Sequence, residues 1–218
     1  MTDVGLPDDT TLDIEAITET LRRLAPDGIR VSARLVAEND VRVMWPSEHA
    51  AVASASPGRR REFASGRALL RSLIGAEVAL PPSPSRRPAV PDGWVATLAH
   101  DSRVVVAAVA TTSHASALGI DVEPVATIER DVAEVVVRPD DRVPNALVAF
   151  VLKEAAYKAW SGTGGRMLEH HDVRIDAAAP DPAGADFTAT VVPDGVAIRG
   201  RYASTAQVWL ALAVIPAL

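Results

Sequence analysis

Five prolines fall between residues 80 and 91: Pro81, Pro82, Pro84, Pro88 and Pro91. Each fixes its own φ and removes a backbone N–H, so the stretch cannot join the middle of a sheet and is expected as an extended loop carrying Arg86 and Arg87. Any sheet must therefore come from the sequence on either side. Upstream, residues 12–24 place Leu12, Ile17, Leu21 and Leu24 near helical spacing until Pro26, Asp27 and Gly28 end the pattern, and residues 29–36 alternate as a strand. Residues 57–74 read as a helix with Pro57 at its start and Gly75 past its end, bearing Arg59, Arg60, Arg61, Arg67 and Arg71. Downstream, residues 95–99, 104–110 and 117–123 read as strands, 128–136 and 145–160 as helices, and 161–165 as a flexible turn. Further strands are expected at 173–176, 187–192, 196–202 and 208–215.

Helices and strands recur in both halves, an α+β pattern whose boundary falls near residues 113–117 and divides the chain into subdomains 1–115 and 116–218. A length of 218 residues allows one large core or two small ones. With no cysteine, there is no disulfide framework, thiolate metal site or cysteine nucleophile, so the 48% of hydrophobic residues must carry stability. No apolar run reaches membrane-spanning length, and residues 1–9 are acidic rather than a basic leader, so a cytoplasmic place is expected.

Charge restricts the ligands. The formal net charge of -6 disfavours general nucleic-acid binding, which needs clustered positive charge, and any anionic ligand must be met by a local basic patch. All the basic residues are arginine except Lys153 and Lys158, five positions apart in one segment. That confinement suggests two places that want a compact ammonium rather than a planar guanidinium.

Two segments carry candidate chemistry. In Gly119-Ile120-Asp121-Val122-Glu123-Pro124, strand alternation puts Asp121 and Glu123 on one face and Ile120 and Val122 on the other, toward a core. Paired carboxylates of this kind suit Mg²⁺, although a solvated strand face would show the same spacing. In the helix, Val148, Leu152, Ala155, Ala156 and Ala159 form an apolar stripe, and Glu154 and Lys158 lie one turn apart on another face. A surface Glu-Lys pair of this type contributes only about 0.3 to 0.5 kcal/mol, which does not explain why all lysine is confined here. His170 and His171 follow Glu169, but no third ligand at metal spacing supports a zinc site. The arginines at 60, 61 and 71 read as a solvated basic face.

Together these segments resemble the 4′-phosphopantetheinyl transferases, specifically the large pseudo-dimeric group of surfactin- and enterobactin-synthetase activators. Gly119 to Glu123 meets the family signature G-[IV]-D-x-E, and Phe150 to Lys158 meets [FW]-x-x-K-E-[AS]-x-x-K, in the family's order and separation. The run from Arg60 to Arg67 is similar to the arginine-rich helix of the enterobactin-type members, and Arg86-Arg87-Pro88 to their basic proline-flanked loop. Thr97-Leu98-Ala99-His100 matches their S-x-S-H strand end only in part, with Thr97 and Ala99 where serines are usual.

The resemblance implies two similar α/β subdomains in a pseudo-twofold fold with the active site at their interface. It also implies an enzyme that transfers 4′-phosphopantetheine from coenzyme A to a serine of an apo acyl- or peptidyl-carrier protein in siderophore, polyketide or non-ribosomal peptide synthesis, releasing 3′,5′-ADP. By the same likeness Asp121, Glu123 and Glu154 would hold Mg²⁺, and Lys153 and Lys158 would contact phosphate oxygens; in the transfer itself Lys153 is expected to stabilise the phosphoryl oxygens, and Glu154, directly or through a metal-bound water, to take the serine proton. Arg59, Arg67, His100 and either Arg86 or Arg87 would bind the 3′-phosphate and nearby groups. A monomer is expected, with residues 138–144 at the edge of the carrier surface and no nucleic acid among its partners. A coenzyme A-binding protein of the same fold without transfer activity is the alternative.

Overall fold

The computed structural model describes residues 11–84 and 86–217, so the acidic segment 1–9 lies outside the described residues. Helix α1 (Ile14–Leu24) opens on Asp13, whose carboxylate accepts from the Ala16 N–H at 2.9 Å. Strand β1 (Ile29–Leu35) follows, then a 3-10 helix (Glu38–Val43) and the short α2 (Pro46–Ala51). Helix α3 (Pro57–Ile74) is capped by the Ser56 hydroxyl and stops at Gly75, whose φ of 78° is left-handed and suited to glycine. The proline-rich stretch is a loop, as its missing N–H groups require, with a bridge between Pro82 and Pro88.

Strands β2 (Trp94–His100), β3 (Val104–Thr111) and β4 (Ala115–Pro124) come next, then α4 (Arg130–Val136) and α5 (Ala146–Gly162), the latter capped by the Asn145 side chain on the Val148 N–H. A short 3-10 helix (His170–Asp172) leads to β5 (Val173–Ala177), β6 (Ala185–Val191), β7 (Val196–Ser204) and β8 (Val208–Pro216). The result is a mixed α/β architecture with two sheets, in keeping with the α+β pattern expected from the sequence.

Both sheets are antiparallel, one ordered β1-β3-β2 and the other β4-β8-β7-β6-β5. They stack with helices outside, in the order α3, three-stranded sheet, five-stranded sheet, α5. Strand β3 shows why its sequence is continuously apolar: Val105, Ala107 and Val109 pack on α3, while Val104, Val106, Ala108 and Ala110 face the second sheet. Helix α1 inserts Ile17, Leu21 and Leu24 into the same middle layer. On β4, Leu118, Ile120 and Val122 enter that layer, which leaves Gly119, Asp121 and Glu123 on the α5 side.

Segment 38–51 escapes sequence periodicity because two buried carboxylates, not an apolar stripe, organise it: Asp40 of the 3-10 helix accepts from Arg34 and from the Ser65 hydroxyl, and Glu48 holds α2. Glu48 is 0% exposed and accepts from the Trp45 N–H at 3.0 Å, the Leu80 N–H at 2.8 Å and Arg71 Nη1 at 2.7 Å. This corrects the expectation that Arg71 lies on a solvated face: it is buried and ion-paired. Arg60 is likewise occupied, donating to the carbonyls of Val52 and Ala53 at the end of α2, whereas Arg61 makes an exposed pair with Glu38.

The closest approach of layers is at Gly119. A Cβ there would lie 1.8 Å from the Ala155 carbonyl oxygen and 2.6 Å from the Ala159 nitrogen, both α5 backbone. Only hydrogen fits. Gly119→Ala is expected to destabilise the protein by at least about 2 kcal/mol in urea unfolding, since α5 must move to admit the methyl group; an unchanged midpoint would contradict this packing.

Candidate active site

Because Gly119 lets α5 lie directly on β4, the next inward-facing strand residue, Asp121, meets the helix at Lys158. Lys158 Nζ donates to Asp121 Oδ1 at 2.6 Å and to the Ile120 carbonyl at 3.1 Å. Asp121 is only 4% exposed, and among the described residues its Oδ2 has no hydrogen-bond partner. The solvated-face alternative for this pair therefore fails at Asp121, because α5 covers that side of the strand. Burial is the main cause that pushes Asp121 up to about 6, with the Glu154 charge adding and Lys158 opposing. Glu123 is pushed up to about 7, first by burial and then by the charge of Asp121, with Asp101 and Glu154 also contributing.

Glu154, on the neighbouring face of α5, behaves in the opposite way. His170 Nε2 lies 3.5 Å from its Oε1, a long electrostatic contact, and the imidazole beside it holds this carboxyl below the usual range despite burial. The site thus pairs one readily ionised carboxylate with two that resist ionisation until positive charge arrives. Asp121, Glu123 and Glu154 are all hard oxygen donors, and the orphaned Asp121 Oδ2 suits a Mg²⁺-like cation. Among the described residues, however, no three His, Asp or Glu side chains already converge on one metal position. The carboxylates are coupled neighbours rather than a preformed cage.

The end of β2 supplies the second part of the site. His100 sits there with Nδ1 3.4 Å from Glu62 Oε2, while Nε2 contacts Arg59 Nη1. Arg59 can only donate, so His100 Nε2 accepts and its ring proton faces Glu62. Burial is the largest cause holding His100 below its ordinary value, with Arg59 and Lys158 adding and Glu62 and Asp101 opposing. The β2 end and the β4-α5 face are near enough for the Lys158 charge to act on His100 and the Asp101 charge on Glu123. Thr97 and Ala99, the departures from the serine pattern, are both buried, Ala99 within the inter-sheet core.

The arginines divide. Arg59 and the exposed Arg86, which has a φ of 64°, border open surface. Arg67 is buried over the Phe63 ring, donates through Nε to the Leu80 carbonyl, and is lowered to about 10, chiefly by burial. Arg87 Nη1 donates to the Gly162 carbonyl at 3.1 Å, tying the proline-rich loop to the end of α5.

The lysines also separate. Lys153 is 2% exposed, pairs with Asp141 Oδ2 at 2.7 Å, and donates to the carbonyls of Val136 at 2.7 Å and His170 at 3.0 Å. All three of its N–H donors are taken within the chain. Residues 138–144 are correspondingly anchored, because Asp141 also accepts from the Arg138 and Ile175 N–H groups. Sequence reasoning missed the partners Glu62, Asp101, Asp141 and His170. Only Glu62 carried a local signal, its helical spacing of three from Arg59.

Comparison with known proteins adds a family. Residues 47–110 match the 4'-phosphopantetheinyl transferase N-terminal domain. The chain is 34% identical over 181 residues, covering 75% of it and 72% of the other protein, to 4'-phosphopantetheinyl transferase Svp of Streptomyces mobaraensis. It is 29% identical over 192 residues to 4'-phosphopantetheinyl transferase Npt of Nocardia iowensis, covering 79% of this chain and 86% of that protein. It is also 29% identical over 172 residues to 4'-phosphopantetheinyl transferase PptT of Mycobacterium tuberculosis, covering 71% and 75%.

The raised carboxylates have a consequence for stability. A carboxyl held high in the folded state stabilises fully below its unfolded value, and that contribution is lost as pH rises through the folded value, here about 6 for Asp121 and about 7 for Glu123. Relative to Asp121→Asn, the metal-free wild type should therefore lose at least about 1 kcal/mol between pH 5 and pH 8 in denaturant unfolding. Parallel profiles for the two proteins would refute the assignment.

Proposed function

The chain belongs to the 4′-phosphopantetheinyl transferase family, and from that premise we propose that it moves the 4′-phosphopantetheine group of coenzyme A onto a serine of an apo acyl- or peptidyl-carrier protein. The arginine-bearing α3 and the proline-flanked Arg86 favour the pseudo-dimeric, surfactin- and enterobactin-type branch, with residues 1–115 and 116–218 as subdomains and the site between them. The observation that carries the proposal is Asp121. Its carboxylate is buried, accepts from Lys158 on one oxygen and, among the described residues, has no partner on the other, beside Glu123 and Glu154. Such an oxygen awaits a cation.

In the reaction, the serine hydroxyl forms a bond to the β-phosphorus of coenzyme A while the bond to the departing 3′,5′-ADP oxygen breaks. Asp121, Glu123 and Glu154 would hold Mg²⁺, which supplies positive charge against the pyrophosphate when bound. Glu154 is the carboxylate kept ionised by its surroundings and takes the serine proton. Lys158 spends two donors inside the chain, leaving the third to meet a phosphate oxygen. Arg59, His100 and Arg86 border the surface that receives the 3′-phosphate, while Arg67 and Arg87 shape the loop beside it. Lys153 serves the same site from inside, through the segments it ties to α5.

The carrier would dock on the apolar surface beyond Glu123. A groove of about 510 Å³ is lined by Val125, Ile128, Leu147 and Trp209 among others, and Val132 and Val135 of α4 are exposed. An apolar surface suits an acidic carrier better than more negative charge would.

Incubation with coenzyme A, Mg²⁺ and apo carriers of several types should add one phosphopantetheine to the carrier, read by intact mass. Coenzyme A binding with every carrier unmodified would overturn the proposal and favour a binding protein of the same fold. Glu154→Gln should reduce transfer by roughly 100-fold or more while leaving coenzyme A affinity within a few-fold; transfer near the wild-type rate would remove Glu154 from its role.

A further inference from the structure

We propose that His170 is a positioning residue: its imidazole restricts the Glu154 carboxylate beside Asp121 and Glu123, so that a divalent cation drawing the three carboxylates together meets one of them already held. The inference rests on the role given to Glu154 above. His170 belongs to neither motif and stands on the 3-10 helix before β5. Its position is nevertheless held from several sides. Its carbonyl accepts from Lys153 Nζ at 3.0 Å and from the Val173 N–H, and its ring stacks on Phe150 with centroids 5.6 Å apart and planes inclined by 25°. Phe150 lies one helical turn before Glu154 on α5, so the ring that supports the imidazole and the carboxylate that faces it share one helix.

The polar end of this fixed ring has a single destination. His170 Nε2 is buried, has no hydrogen-bond partner among the described residues, and lies 3.5 Å from Glu154 Oε1. A buried ring nitrogen is normally paired, so one left short of full contact with a carboxylate marks a bond that closes when the carboxylate settles. Glutamate has a long, rotamer-rich side chain, and without a neighbour to restrict it, ordering it on a cation would carry the full entropic cost. Groups that orient metal-ligating side chains in this manner typically affect metal affinity 10- to 100-fold. Lys153 acquires a purpose in the same arrangement. By binding Val136, Asp141 and His170 together it fixes the backbone on which the imidazole rides.

The test compares Mn²⁺ binding, followed by electron paramagnetic resonance in the presence of coenzyme A, for wild type, His170→Phe and His170→Gln. Phenylalanine keeps the stack on Phe150 and removes the donor; glutamine restores a donor. His170→Phe should weaken Mn²⁺ binding by about tenfold or more, His170→Gln should recover most of it, and metal-free coenzyme A affinity and Tm should stay close to wild type. His170→Leu replaces the Phe variant if that one does not fold. Unchanged Mn²⁺ affinity in the Phe variant, equal weakening in both variants with a fall in Tm, or failure of both apolar variants to fold would each overturn the positioning role. Absence of Mn²⁺ binding by wild type would overturn it too. If wild type binds Mn²⁺ but never modifies a carrier, the transfer activity fails while the variant comparison still decides the role of His170.

Discussion

Backbone contact between β4 and α5 is the constraint on which the site depends. At Gly119 the strand comes so close to the carbonyl of Ala155 and the nitrogen of Ala159 that no side chain fits between them. The apolar stripe of α5 presses the helix onto the second sheet, and the small Ala155, Ala156 and Ala159 keep that approach short. Two residues along the strand, Asp121 is delivered to Lys158, and the adjoining face of the helix presents Glu154. Packing density therefore sets the positions of the charged groups, since a one-residue slip of β4 would send Asp121 and Glu123 into the inter-sheet core.

Burying charge at such a contact is unfavourable unless partners are at hand, and this protein buries its cations with defined acceptors. Lys158 meets Asp121, Lys153 meets Asp141, and Arg71 meets Glu48. The two lysines explain their own rarity. Each ammonium sits among converging carbonyl and carboxylate oxygens, which suits a compact tetrahedral donor better than a planar fork. Asp121 and Glu123 remain undercompensated, so the fold stores unfavourable electrostatic energy at the place where a cation and a phosphate ligand would release it.

Much of the fold is legible in the chain because its elements announce themselves locally. Helix α3 begins at Ser56-Pro57 and ends at Gly75, α5 begins behind Asn145, and β3 is apolar throughout because it is covered on both faces. The 3-10 helix at 38–43 and α2 are not legible, since buried Asp40 anchors the first through Arg34 and Ser65, and Glu48 anchors the second through Arg71 and Leu80, far along the chain. Arg71 looks solvated from its spacing for the same reason. Lys153 and Lys158 look like one basic pair, five residues apart, yet their side chains leave the helix toward different acids.

Residue order alone displays the candidate chemistry: carboxylates at 121, 123 and 154, lysine confined to one helix, and an arginine-bearing helix followed by a proline-rich loop. Those features are local, written in residue type and periodicity. Only the tertiary structure decided which charges are exposed and which are spent internally, that Lys158 faces Asp121 while Lys153 is enclosed with Asp141, and that His170 stands against Glu154. Burial and partner choice arise where distant segments meet, and electrostatic energy depends on both, so neither could be read from the spacing of residues along the chain.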